Sequence, residues 1–190
     1  FTVCIEGGLA VVKKVYDYDS EDFQLNGSGQ AGVPTKYRFI LYNKSNRPIT
    51  NFTIVDRMPH INDKQYTNCD PRNSQYNISL TNVINPATNT MEYFYDAMVG
   101  RISLPPNFSV IAPNSVSCTA NATSIHNTLA SNDNTVIIKY PYVLGAFGSD
   151  SFDITVNVPS SAVKGEIACN TATYTFHYMN ADGTTQNGGT

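Results

Sequence analysis

The sequence predicts an all-β sandwich with a detached strand at its N-terminus. Three observations carry that reading. Apolar residues recur with a period of two in nearly every hydrophobic segment, which is the spacing of one face of a strand. No stretch keeps an amphipathic helical pattern over three turns. Ten prolines and twelve glycines fall between the alternating segments, and many short strands punctuated in this way belong to sandwiches and barrels. No repeat at a period of about 20 to 50 residues is present, which excludes a solenoid or propeller.

Phe1, Val3 and Ile5 alternate with Thr2, Cys4 and Glu6, so an extended start presents three apolar side chains on one face. Free termini fray unless something holds them. This one calls for burial, at the edge of its own domain or as a donor strand in the groove of a neighbouring copy. A type IV pilin helix is excluded, because Gly7-Gly8 and Lys13-Lys14 interrupt the apolar run too early. Residues 1–12 are therefore expected as a donor strand, 13–180 as the sandwich and 181–190 as a flexible C-terminal tail.

Leu9 to Tyr16 reads as the first strand after the Gly7-Gly8 break, and Thr35 to Asn43 as the next, with Tyr37, Phe39 and Leu41 on one face. Asn51 to Asp56 follows a turn at Asn46-Arg47-Pro48. Further strands are expected at Gln75 to Leu80, Met91 to Ala97, Ser109 to Ile111, Ser115 to Ala120, Thr135 to Tyr142 and Ser151 to Val158. In the last, Glu166 to Tyr178, Ala168, Asn170, Ala172, Tyr174, Phe176 and Tyr178 share one face, while Ile167, Cys169 and three threonines share the other.

Charged residues make up 14% of the 190 and the net charge is −3, which leaves no basic field for nucleic acid. No run of about 20 apolar residues is present to span a membrane. Uncharged polar residues supply the solubility, as on cell-surface β proteins. A start at Phe1, without a leader, fits a processed chain whose targeting segment has been removed, and the expected location is extracellular, at the cell surface.

Cys4, Cys69, Cys118 and Cys169 form no closely spaced pair of the kind that binds zinc. An even number in an exported chain points to disulfides. Cys69 and Cys118, both in turn-rich segments, are expected to pair, which leaves Cys4 for Cys169, within one chain or between neighbours.

Motifs for catalysis are few. His60, His126 and His177 lie apart without ligand spacing, and no nucleophile elbow, zincin helix or phosphate-binding glycine loop occurs. Asp17 to Asp22 offers oxygen ligands for Ca²⁺ but lacks the glycine and distal glutamate of an EF-hand, so a solvated acidic turn is the preferred reading. No cofactor, no metal and no enzymatic activity are expected. Asparagine chemistry is richer. Asn26, Asn43, Asn51, Asn77, Asn107 and Asn121 each open an N-glycosylation sequon, of which Asn51 is the weakest because it stands in an expected paired strand. Lys14 on the first strand, Asp56 on an intervening one and Asn170 on the last have the residue types for an isopeptide crosslink. In that reaction a buried neutral lysine attacks an asparagine carbonyl while a protonated carboxyl relays protons.

Lys13-Lys14, the segment Lys36 to Asn43, the segment Ile49 to Asp56 with Pro59, and Cys169-Asn-Thr-Ala-Thr-Tyr174 together resemble the DUF11 family of Ig-like bacterial and archaeal surface domains. The resemblance covers the start, the second quarter and the end of the chain, and residues 60 to 135 depart from it. It implies an Ig-like, pilin-like sandwich on a wall-, S-layer- or filament-associated protein. The apolar tail is also similar in design to subunits of glycosylated archaeal threads joined by donor strands.

The expected function is structural: a subunit of an extracellular filament that polymerises with copies of itself through the N-terminal strand and carries N-linked glycans. The alternative is a monomeric adhesive or spacer module of a surface layer. An extracellular carbohydrate-active enzyme, with Tyr93, Phe94 and Tyr95 as a stacking platform, is the third reading.

Overall fold

The structure is a computed structural model that describes residues 8–59, 61, 71–80, 82–85, 90–93, 95–97, 107–111, 135–140 and 142–189. Every regular element among them is a strand. In chain order these are β1 (Leu9–Asp17), β2 (Asp22–Gln24), β3 (Pro34–Asn43), β4 (Ile49–Arg57), β5 (Ser79–Leu80), β6 (Asn82–Asn85), β7 (Thr90–Tyr93), β8 (Tyr95–Ala97), β9 (Asn107–Ile111), β10 (Thr135–Tyr140), β11 (Ser149–Asn157), β12 (Thr171–Met179) and β13 (Thr185–Gly189).

Two antiparallel sheets make an all-β sandwich. One has the order β2-β1-β3-β11-β5, with β8 also on β11, and the other the order β13-β12-β4-β10-β9. A separate hairpin pairs β6 with β7. Their inner faces interlock through period-two side chains. On β3 the positions Thr35, Tyr37, Phe39, Leu41 and Asn43 are buried and alternate with more exposed ones. Phe152, Ile154 and Val156 of β11 continue that layer, and Phe52, Ile54, Ile138, Tyr140 and Phe176 meet it from the other sheet. Phe39 stacks on Phe152 within one sheet, with Tyr140 of the opposite sheet against Phe152. The face read for the last strand also stands, since Ala168, Ala172, Tyr174, Phe176 and Tyr178 all belong to the core or pack on it.

Two segments behave differently from their expected roles. Residues 9–12 belong to the domain's own β1, in register with β3 from Leu9↔Asn43 to Val15↔Tyr37. Leu9 and Val11 lie on the inward face and help to fill the core, which holds this stretch in its own domain. Residues 185–189, expected in a flexible tail, form the edge strand β13 on β12. Gly188 allows this. A Cβ there would stand 2.1 Å from the Phe176 ring, so only glycine lets the edge backbone lie on that aromatic face.

One extra residue adjusts the facing of β4. Thr175 pairs with Thr53 but His177 pairs with Thr50, a bulge. Asn51 sits there, exposed, at φ 49°, a left-handed conformation that asparagine tolerates better than most residues. Ile49 and Phe52 are three apart, so an unbroken strand would aim them at opposite faces; the bulge lets both reach the core.

At one end of the sandwich the buried Asn43 side chain ties two turns together. Its Nδ2 donates to the carbonyls of Arg47 (2.7 Å), Gly145 (2.8 Å) and Leu144 (3.2 Å). Its Oδ1 accepts from the Ser45 amide and hydroxyl at 2.9 and 2.7 Å. Orphaned buried backbone carbonyls cost about 1–3 kcal/mol each. Asn43→Ala should therefore lower the urea-unfolding free energy by about 3 kcal/mol; a loss under about 1 kcal/mol would show that the turns hold without it.

Candidate functional site

The register of β1 decides which lysine turns inward. Lys13 stands opposite Phe39 and Lys14 opposite Arg38. Directly opposed residues share a face, and Phe39 is fully buried in the core. Lys13 therefore enters the interior, and Lys14 lies on the other side of the sheet. Of the expected trio Lys14, Asp56 and Asn170, the structure thus brings Asp56 together with Lys13 instead of Lys14.

Lys13 Nζ lies 2.5 Å from Asp56 Oδ2, and the Asp56 side chain is wholly shielded from solvent. The ammonium also sits 4.2 Å from the centre of the Tyr37 ring and 5.0 Å from that of Phe39, in cation–π range. The two residues come from opposite sheets, β1 and β4, so the pair bridges the sandwich. Arg72, itself buried, adds a second cation and donates from Nη2 to the Met58 carbonyl at 3.0 Å. Asn170 arrives just before β12, where Ala172 pairs with Asp56. Its Nδ2 lies 4.0 Å from Met58 Sδ, and its side chain is near enough to the Tyr37 phenol to oppose in part the upward push of burial on that group's pKa.

Two oxygens at the centre of this cluster, Asp56 Oδ1 and Asn170 Oδ1, are buried with no hydrogen-bond partner. Buried polar atoms are nearly always paired, so two such atoms on neighbouring residues mark an unusual spot. Burial lowers the Lys13 ammonium to a pKa of about 8; the Asp56 charge and hydrogen bond oppose that shift, and Arg72 adds to it. Burial, then the Asp56 charge, push the Tyr37 phenol up, so it stays neutral.

A second ion pair lies on the outer face of the β3–β11 sheet. Arg38 clasps Asp153 through Nε–Oδ1 at 2.7 Å and Nη2–Oδ2 at 2.9 Å, with Phe23 of β2 stacked on the guanidinium at 3.6 Å. Here Phe23 roofs the bidentate pair, which uses both oxygens of the carboxylate.

The remaining expected residues are dispersed. Cys169 is a half-buried free thiol, and its expected partner Cys4 lies outside the described residues. Cys69 and Cys118 lie outside them too, as do Phe1, Val3, Ile5, Asn121, His60, His126 and Phe94. Tyr93 and Tyr95 lie on β7 and β8. His177 is on β12, its Nδ1 buried without a hydrogen-bond partner. Asp17 spends its carboxylate on the amides of Ser20 and Ser28 and on the Ser28 hydroxyl. Those bonds hold its pKa well below the usual carboxylate range. No cluster of metal-ligating side chains occurs among the described residues.

Among the sequons, Asn26, Asn51 and Asn77 are exposed, although the Asn77 side chain also accepts from the Ile61 amide at 2.9 Å. Asn107 lies on β9. Asn43 is 3% exposed, with its Nδ2 committed to three backbone carbonyls and its Oδ1 to Ser45, so the expectation of a glycan there does not fit the fold: a sugar on Nδ2 would displace the bonds that close both turns.

No protein-family model matches the chain, and no curated protein matches it. Among solved structures the chain is similar to the crystal structure of BcpA, the major pilin subunit of Bacillus cereus, at 11% identity and a TM-score of 0.39. The match covers 94% of this chain and 37% of that one.

Removing one member of a buried ion pair leaves the other charge uncompensated, at about 3–5 kcal/mol, whereas removing both is often neutral. Asp56→Ala should thus be about 3–5 kcal/mol less stable than the double variant Lys13→Met/Asp56→Leu in chemical denaturation. Equal stability would mean that Lys13 escapes to water. Glycopeptide mapping of protein made in a glycosylating host should find Asn43 empty even where Asn26 is occupied.

Proposed function

We propose that the chain is a structural subunit of an extracellular surface filament, an Ig-like domain of DUF11-like character that joins copies of itself by strand pairing through residues 1–6. The observation that carries this reading is the outer edge of β1. The covering strand β2 is only 3 residues long and pairs Val15, Tyr16 and Asp17 alone. From Leu9 to Lys14 the edge has no described strand on its outer side. An edge on which the described residues place no further strand is a template for another extended segment, and the alternating Phe1-Thr-Val-Cys-Ile-Glu6 stretch is suited to be that segment.

A second reading is favoured by a specific observation. β1 already pairs along its length with β3 of its own domain, so the core does not wait for a donated strand. A surface spacer or adhesive module, in which residues 1–6 fold back on their own β1, fits that equally. The two readings separate on deletion of residues 1–7. The filament reading expects a variant with native circular dichroism and unfolding midpoint that stays monomeric under conditions in which the full chain forms filaments by electron microscopy. Filaments from the truncated chain would rule out strand exchange. A full-length chain that stays monomeric at high concentration would favour the spacer.

A further inference from the structure

We propose that Lys13 and Asn170 form an intramolecular isopeptide bond, made within the folded domain with Asp56 as its proton-relaying catalytic residue. The inference is independent of whether the chain polymerises. It stands on the convergence of three side chains from different elements around Tyr37. Lys13 Nζ lies over the Tyr37 ring and donates to Asp56 at 2.5 Å, while Asn170, two residues before Ala172, the strand partner of Asp56, stands with its amide 4.0 Å from Met58 Sδ and acts on the Tyr37 phenol. It stands also on the two buried, unpartnered oxygens, one on the carboxyl that must relay the proton and one on the carbonyl that must be attacked.

The chemistry follows from the placement. Lys13 and Asp56 share a short hydrogen bond away from water, and transfer of one proton along it yields the neutral amine and the protonated carboxyl together. Desolvation favours that transfer, because it removes two charges from a low-dielectric interior. A lysine lowered to about 8 is neutral at pH 7 about 300 times more often than an exposed one.

The Nζ lone pair then attacks Cγ of Asn170, and the Asp56 proton meets Oδ1 as the tetrahedral centre forms. Collapse restores the carbonyl and breaks Cγ–Nδ2. Asp56 passes the proton shed by Nζ to the departing nitrogen. Lysine ammonium plus asparagine amide become a secondary amide plus ammonium, with Asp56 returned to its starting form and no oxidant or co-reactant consumed. Lys14, on the outer side of β1, cannot take part.

Intact mass spectrometry of the purified full chain tests this directly. The native protein should be lighter than its sequence mass by one ammonia, and a protease digest should yield a branched peptide joining the Lys13 and Asn170 segments. Lys13→Arg, which keeps a cation, should fold by circular dichroism and show the full sequence mass. Lys14→Arg should still lose ammonia. Asn170→Asp, which offers a carboxyl in place of the amide, should lose water and converge on the mass of the native crosslinked product. A native chain at full mass, with linear Lys13 and Asn170 peptides, overturns the proposal. So does an ammonia loss that persists in Lys13→Arg.

Discussion

An ammonium and a carboxylate meeting at 2.5 Å between two β-sheets set a demand that most of this interior answers. Withdrawing two charges from water costs several kcal/mol apiece, repaid only where the geometry is close and the surroundings polarise in their favour. The surroundings here are specific. Tyr37 and Phe39 present ring faces to the lysine, Ala172 leaves room opposite the carboxylate, and Asn170 closes the cluster beside Met58. The inner layer away from this point is ordinary apolar packing of Phe39, Phe52, Ile54, Ile138, Phe152 and Ile154. The polar cluster thus occupies one region of an otherwise conventional core, held by the strands that supply its members.

The contrast with the outer pair is instructive. Arg38 and Asp153 are also shielded, yet their two parallel bonds use both oxygens of the carboxylate and the ring of Phe23 covers the guanidinium. That arrangement is satisfied as it stands. The inner cluster leaves the Asp56 and Asn170 Oδ1 atoms without donors, so two ion pairs of the same charge type differ in how fully their neighbourhoods are satisfied.

The alternation of Thr35 to Asn43 and of Ala168 to Tyr178 made the sandwich and the inward aromatic face legible in the sequence, because both strands have one clearly apolar side. β1 was harder. Leu9, Val11 and Val15 lie on one side, Ala10, Val12 and Tyr16 on the other, and each side holds one lysine. Parity was therefore ambiguous until the register to β3 fixed it; pairing that strand in sequence with Tyr37, Phe39 and Leu41 would have singled out Lys13. Asp56 and Asn170 were recoverable as candidates because each sits at an inward position of a strand pattern. Tyr37 and Arg72 were not, since a core tyrosine and a loop arginine give no local sign of shared purpose. The Asn51 bulge was hidden for the same reason, as its effect on Ile49 and Phe52 appears only against the partner strand. Asn43 read as a sequon and proved to be a clamp, a difference set by burial alone.

Phe176 lies against two glycines: a Cβ added at Gly8, just before β1, would stand 3.7 Å from its ring, and one added at Gly188, near the end of β13, would stand 2.1 Å from it. The start of β1 and the end of β13 thus meet at the same aromatic residue. Tension applied to the two flanking segments would not be carried down the length of the sandwich. It would be focused on that corner, loading β1 and β13 in the manner of a zipper pulled from one end, so the first hydrogen bonds to open would be those nearest Phe176, with the far turns still unstressed.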